Sequence, residues 1–371
     1  MISRRRALVL WTAFSVLLLG LPLWGAAFAG KPVFPYLDFP PIAGSVGTAS
    51  FSWPVFIVLG VLELALACLI LIYVGRTGSF AGKAHTKPFP WWGWLALGWV
   101  AAGWVLVWTP QDWSTLFLAQ KFTFIWLGYI LLTNAWTLRR GGLCLLISRP
   151  GYLALLFIGS AVVWWYFEYL NQFVLNWHYP GMENRPRMTY FLQATLPFST
   201  VLPAVVSTAE LLRTFLPFSR ERAGLIGLIL KRPNPRGIAG FTLAIASLGL
   251  FGIGLWPKQL FPLIWISPFL IFVSVQTLLG EKTCLAPLTQ GRWGRLILFA
   301  LASLVCGLFW EMWNFYSYPK WTYSIPYAHG FQLFEMPLLG YAGYLPFGIE
   351  CLMFADFLHR LCPNSREDDP H

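Results

Sequence analysis

Ten apolar stretches run through this chain, at about 8–29, 53–75, 91–109, 115–137, 152–171, 190–217, 238–256, 260–280, 295–313 and 333–358. Each is close to the roughly 20 residues that carry a helix across about 30 Å of hydrocarbon. With 57% hydrophobic and 11% charged residues, the chain falls well short of the roughly 25% charged residues that cover a soluble domain. Inside a bilayer the backbone must satisfy its own N–H and C=O groups, so only helices and closed barrels span it. The alternating strand pattern of a barrel is absent. The expected fold is all-α: a polytopic membrane protein with about ten transmembrane helices. Soluble enzymes, coiled coils, disordered chains and secreted disulfide scaffolds are excluded.

A net charge of +11 would fit a nucleic-acid partner if the basic residues formed one surface, but their positions follow the spans. Alternate inter-span segments hold Arg4, Arg5 and Arg6; Arg76, Lys83 and Lys87; Arg139, Arg140 and Arg149; Arg220, Arg222, Lys231, Arg232 and Arg236; Lys282, Arg292 and Arg295; and Arg360 and Arg366, 19 in all. The opposite segments hold 5: Lys31, Arg185, Arg187, Lys258 and Lys320. This bias places both termini in the cytoplasm of a multi-pass protein of the bacterial inner-membrane type, with no nucleic-acid partner. Arg4–Arg6, an apolar stretch and Ala27-Phe28-Ala29 also read as a cleavable signal peptide; the stretch is long for one, which favours an uncleaved first helix. Six cysteines lack any CxxC spacing, so structural disulfides are not expected.

The chain repeats itself. Glu168 and Asn171 correspond to Glu311 and Asn314 at an offset of 143, and Trp177-x-Tyr179 to Trp321-x-Tyr323 at 144. Thr137-Leu138, Cys144-Leu145, Pro197 and Glu210 match Thr277-Leu278, Cys284-Leu285, Pro337 and Glu350 at 140. The expected organisation is two N-terminal helices in 1–90, a first four-helix repeat in 91–217, a basic cytoplasmic linker in 218–237, a second repeat in 238–362 and a disordered tail in 363–371. Four helices per copy is an even number, so the tandem repeats share one orientation about an axis along the membrane normal.

Carboxylates at membrane depth are costly, which makes Glu168, Glu210, Glu311 and Glu350 the informative residues. A three-residue step puts Glu168 and Asn171, and likewise Glu311 and Asn314, on one helical face. Trp165, Trp177 and Tyr179 accompany the first pair, and Trp310, Trp321 and Tyr323 the second. These aromatics read either as a belt at headgroup level or as a π-lined pocket suited to a developing cation. Glu210 and Glu350 lie about 13 residues past Pro197 and Pro337, roughly 20 Å along a helix, where a protonated carboxyl is a proton donor. Lys121 reads as a lone cation snorkelling from its span. No haem-ligating histidine pair, CxxCH, HExxH or P-loop occurs, and no metal or cofactor is expected.

Trp310-Glu311, Asn314, Trp321-x-Tyr323 and the GYLPFGIECLMF run from Gly343 resemble the membrane-embedded lycopene cyclase domain family, of the two-domain or heterodimeric type. The resemblance covers roughly 100 residues of the second copy and, more faintly, the first. It departs from the family where Glu350-Cys351 replaces an adjacent Glu-Glu. It implies acid-catalysed cyclisation of a linear polyene without a cofactor: a carboxylic acid protonates a terminal double bond, a six-membered ring closes on the carbocation, and a base removes a proton. Glu350 and Glu210 are then the acids. Glu311 and Glu168, oriented by Asn314 and Asn171, stabilise charge or act as base, and the partner is an apolar isoprenoid from the membrane. The alternatives are a proton- or cation-coupled carrier and a non-catalytic membrane assembly factor.

Overall fold

The structure, a computed structural model, describes residues 2–41, 51–77, 87–109, 120–182, 185–216 and 234–362. The expected tail at 363–371 and most of the expected linker, 218–233, lie outside the described residues. Helices occupy all ten apolar stretches. In chain order they are α1 (Arg4–Phe28), α2 (Trp53–Thr77), α3 (Trp91–Trp108), α4 (Lys121–Gly141), α5 (Pro150–Val174), α6 (Arg187–Ser199) running into α7 (Val201–Phe215), α8 (Pro235–Leu255), α9 (Leu263–Leu278), α10 (Gly294–Phe315) and α11 (Tyr344–Leu361). The remainder of the described chain is short turns of helix and four two-residue strands. Eight helical segments are long and apolar enough to cross a membrane. At 16 residues α9 is shorter, and α4 carries Lys121, Arg139 and Arg140 at its ends. The chain is a helical, multi-pass membrane protein.

Local chemistry sets the helix limits. Asn234 accepts from the N–H of Gly237, with Pro235 opening α8, the usual start signal. At the other extreme, α4 stops at Gly142, whose φ of 78° suits a residue without Cβ. The predicted span at 190–217 is broken at Thr200. Ser160 of α5 donates to the Phe198 carbonyl and accepts from the Leu202 N–H, inserting its hydroxyl into the ladder where α6 gives way to α7. The predicted span at 333–358 begins instead as a two-stranded turn and a 3-10 stretch (Leu338–Gly343) before α11.

We call the end of the bundle where α1, α3, α5, α8 and α10 finish the upper end. Helices α5, α7, α10 and α11 form the centre: α5 packs on α7 and α11, and α10 on α11 and α7. The pairs α3–α4 and α8–α9 flank it. Helix α1 is a full member of the bundle, with Leu10, Phe14, Leu18 and Ala26 buried. It crosses α8 at Gly25 and Gly254, where a Cβ on either would strike the other's backbone. Ser15 and the Tyr166 hydroxyl meet at 2.6 Å, and Lys31 donates to the Gly254 carbonyl. By contrast α2 exposes most of its length and touches the body near its ends, through Phe56 on Phe331, Gly60 by Leu339 and the Tyr73 hydroxyl on the Trp293 N–H.

Candidate functional site

Glu168, near the end of α5, and Glu311, near the end of α10, are both fully buried. The Glu168 Oε1 accepts from Tyr179 Oη at 2.7 Å and from the indoles of Trp177 and Trp164 at 3.0 Å. The Glu311 Oε1 accepts from Tyr323 Oη and Tyr344 Oη, both at 2.7 Å, while Trp321 Nε1 donates to the Tyr323 hydroxyl. Three residues on, Asn171 accepts from the Asn176 and Trp177 N–H groups and donates to the Trp177 carbonyl. Asn314 likewise accepts from the Trp321 N–H and donates to its carbonyl. Each Glu-x-x-Asn step thus clamps the Trp-x-Tyr segment that follows its helix: the amide fixes the backbone and the carboxyl gathers the side-chain donors.

The clamped segments meet. Trp177–His178 pairs antiparallel with Thr322–Tyr323, Trp177 opposite Tyr323 and His178 opposite Thr322. The His178 Nε2 lies 3.1 Å from the Thr322 hydroxyl. At the offset of 144 Trp177 corresponds to Trp321 and His178 to Thr322, so the His178–Thr322 pair maps onto itself. Alternation along a strand turns Trp177 and Tyr179, and Trp321 and Tyr323, to the side of the two carboxyls. The strands therefore form a cap over the upper end.

The clamps also differ in the residue one helical turn before each carboxyl. Trp164 stands four residues before Glu168, whereas the fourth residue before Glu311 is Gly307, and a Cβ there would overlap the Tyr344 ring. The space left by a missing indole admits Tyr344 from α11, whose hydroxyl replaces the indole N–H as donor. Glu311 Oε2 is buried with no hydrogen-bond partner among the described residues.

Glu350 is set apart from both clamps. Only 1% exposed, it has no side-chain hydrogen-bond partner on either carboxyl oxygen among the described residues, and the backbone N–H of Phe269, just past Pro268 in α9, faces it as its one polar neighbour there. It shares a face of α11 with Phe347 and Phe354. Phe347 touches Trp164, Phe167, Trp265 and Trp310; Phe354 touches Trp11, Phe14 and Phe272. The carboxyl thus sits between two groups of aromatic rings at the seam of α5, α9 and α11, with α1 along its side. Along α11 it is six residues, about 9 Å, below Tyr344, the residue that reaches Glu311.

Glu210 does not join this set. It lies near the lower end of α7, 2.8 Å from Arg213 and 3.6 Å from Arg149, and its side chain is 25% exposed. Trp165 turns away from Glu168 to bond Thr195 and stack on Phe191. Trp310 packs between Trp126, Tyr344 and Phe347. Sequence reasoning missed Tyr344 as a donor to Glu311, while Trp164, one of the aromatics the sequence places around Glu168, is a donor to it. The glycine that stands where the first copy has Trp164 was the legible trace of the first. Among the described residues no cluster of three or more His, Cys, Asp or Glu is placed to hold a metal ion. No family model, curated protein or solved structure matches this chain.

Proposed function

We propose that the chain is an integral membrane enzyme that cyclises an apolar isoprenoid or polyene by acid catalysis, with Glu350 as the acid. The observation that carries this reading is the Glu350 carboxyl: buried, without a side-chain hydrogen-bond partner among the described residues, and on the face of α11 that carries Phe347 and Phe354. A carboxylic acid can hand its proton to a double bond lying against it, and ring faces stabilise a cation formed beside them. The Glu350 proton goes to the CH carbon of the polyene's terminal double bond, leaving a tertiary cation on the dimethyl-bearing end carbon. A double bond further along attacks the cation and closes the ring. The Glu350 carboxylate then takes a proton from the carbon adjacent to the new cation. Substrate and product are isomers and the acid is restored, so no cofactor enters. The resemblance to the lycopene cyclase domain points to the same chemistry.

In this reading the two halves are one duplicated four-helix unit about an axis along the membrane normal, and Glu168 and Glu311 hold the cap at the upper end. Glu210 serves the ion pairs below. The lower end, rich in Arg and Lys, faces the cytoplasm of an inner-type membrane. Expression in a lycopene-accumulating bacterium, with chromatography of the pigments, tests the proposal. The native chain should convert the pigment to a cyclised isomer and Glu350→Gln should not. Equal conversion by both would remove Glu350 as the acid, and no conversion by either would remove lycopene as the substrate. A buried carboxyl at membrane depth also suits proton binding by a carrier, for which pH-driven flux in proteoliposomes is the deciding result.

A further inference from the structure

We propose that Arg139 and Arg140, with Lys87 beside them at the lower end of α4, form a binding site for the phosphate of an anionic membrane lipid. The three cations gather where α4 closes. The Lys87 N–H donates to the Arg139 carbonyl at 3.1 Å, and its ammonium to the Gly142 carbonyl at 3.0 Å. Arg140 donates through Nε and Nη2 to the hydroxyl and the carbonyl of Thr214 in α7, and its guanidinium lies 3.6 Å from the centre of the Phe215 ring. Arg139 stands over Trp136 and Phe89, with 5.3 and 6.0 Å to the ring centres. Rings, a hydroxyl and helix-end carbonyls hold these cations in place and leave their formal charge unneutralised.

The carboxylates of the same end are engaged elsewhere. Glu210 pairs with Arg213 and Arg149, Asp356 with Arg295, and Glu281 with Arg6. Among the described residues none pairs with Arg139, Arg140 or Lys87. Guanidinium groups match phosphate oxygens in a fork, and Arg140 keeps its Nη1 clear of the Thr214 contacts. The surface beside the cations favours a lipid over a free anion. Trp136, Leu143, Ile147 and Phe215 are all exposed at this end of α4 and α7, so a phosphate seated on the arginines has apolar surface next to it for its acyl chains. The end of a span is the depth of phospholipid headgroups, and basic clusters between spans are a known form of headgroup site. The inference does not depend on Glu350 or on the cyclisation reading.

Full-length protein in lipid-free detergent, titrated with phosphatidylglycerol, phosphatidylcholine and inorganic phosphate while its thermal unfolding is followed, tests the site. Phosphatidylglycerol should raise the midpoint in a saturable way. The double variant Arg139→Gln/Arg140→Gln should bind it at least tenfold more weakly, and Lys258→Gln, at the opposite end, should change nothing. An equal response to phosphatidylcholine means that the apolar surface acts alone and overturns the proposal. An equal response to inorganic phosphate assigns a free anion and overturns it as well. The same holds for no saturable response to phosphatidylglycerol, or for an unchanged affinity in the double variant. If the double variant does not fold, Arg139→Gln decides, because that guanidinium rests on rings: at least a threefold loss of affinity is then required.

Discussion

Replacing Glu350 with Leu separates function from stability at a single position. A buried carboxyl without a side-chain partner costs the fold most of its desolvation, so Glu350→Leu should raise stability by about 1–3 kcal/mol and abolish product formation, read by thermal unfolding beside the pigment assay. A loss of stability would mean that the carboxyl is satisfied in the folded protein and is no free acid. The clamps predict the opposite behaviour: Asn171→Ala or Asn314→Ala strands buried backbone groups and should cost about 2–4 kcal/mol. Gly307→Ala meets the Tyr344 ring and should cost about 1–3 kcal/mol, with Tyr344→Ala restoring room for it. The Glu-x-x-Asn and Trp-x-Tyr spacings were legible because both act within a turn of helix or one strand. The isolation of Glu350 and the pairing of Glu210 with Arg149 were not, because an offset of 140 carries no information about depth. Glu210 ends up about 8 Å from the end of its helix and Glu350 about 17 Å from the end of its own.

At the level of elements, α1 is bound into the molecule by close backbone approach as well as by apolar area. Gly25→Val or Gly254→Val should prevent the α1–α8 crossing and shift the purified protein from a monodisperse peak to aggregate on size exclusion, since Phe14 and Leu10 then lose their cover. A variant that remains monodisperse with unchanged unfolding would show that the crossing contributes little. Existence and order of the helices could be read from hydropathy alone, because a run of about 20 apolar residues has one inexpensive conformation in lipid. Their irregularities could not. At Thr200 the break combines a local cause, Pro203, which cannot bond the Ser199 carbonyl, with the Ser160 hydroxyl about 40 residues earlier in the chain, and α11 starts late, after a turn that pairs Gln332–Leu333 with Met336–Pro337 and a stretch holding Gly340 and Gly343. The prolines and glycines are visible in the sequence; the partners that settle each break are not.

For the whole molecule, the basic residues make orientation testable: a fluorescent protein fused after residue 362 should fluoresce, and alkaline phosphatase inserted after Lys31 should be active. The reverse pattern would place the cap on the cytoplasmic side. The strand pair under that cap has a wider consequence. A contact that is unchanged when its two partners are exchanged is what a symmetric dimer builds, and His178 facing Thr322 is the point where such an exchange leaves the pairing in place. Under the duplication proposed above, one half on its own carries a strand for this handshake, and joining both halves in one polypeptide fixes the stoichiometry and frees each side to drift, as at Trp164 and Gly307.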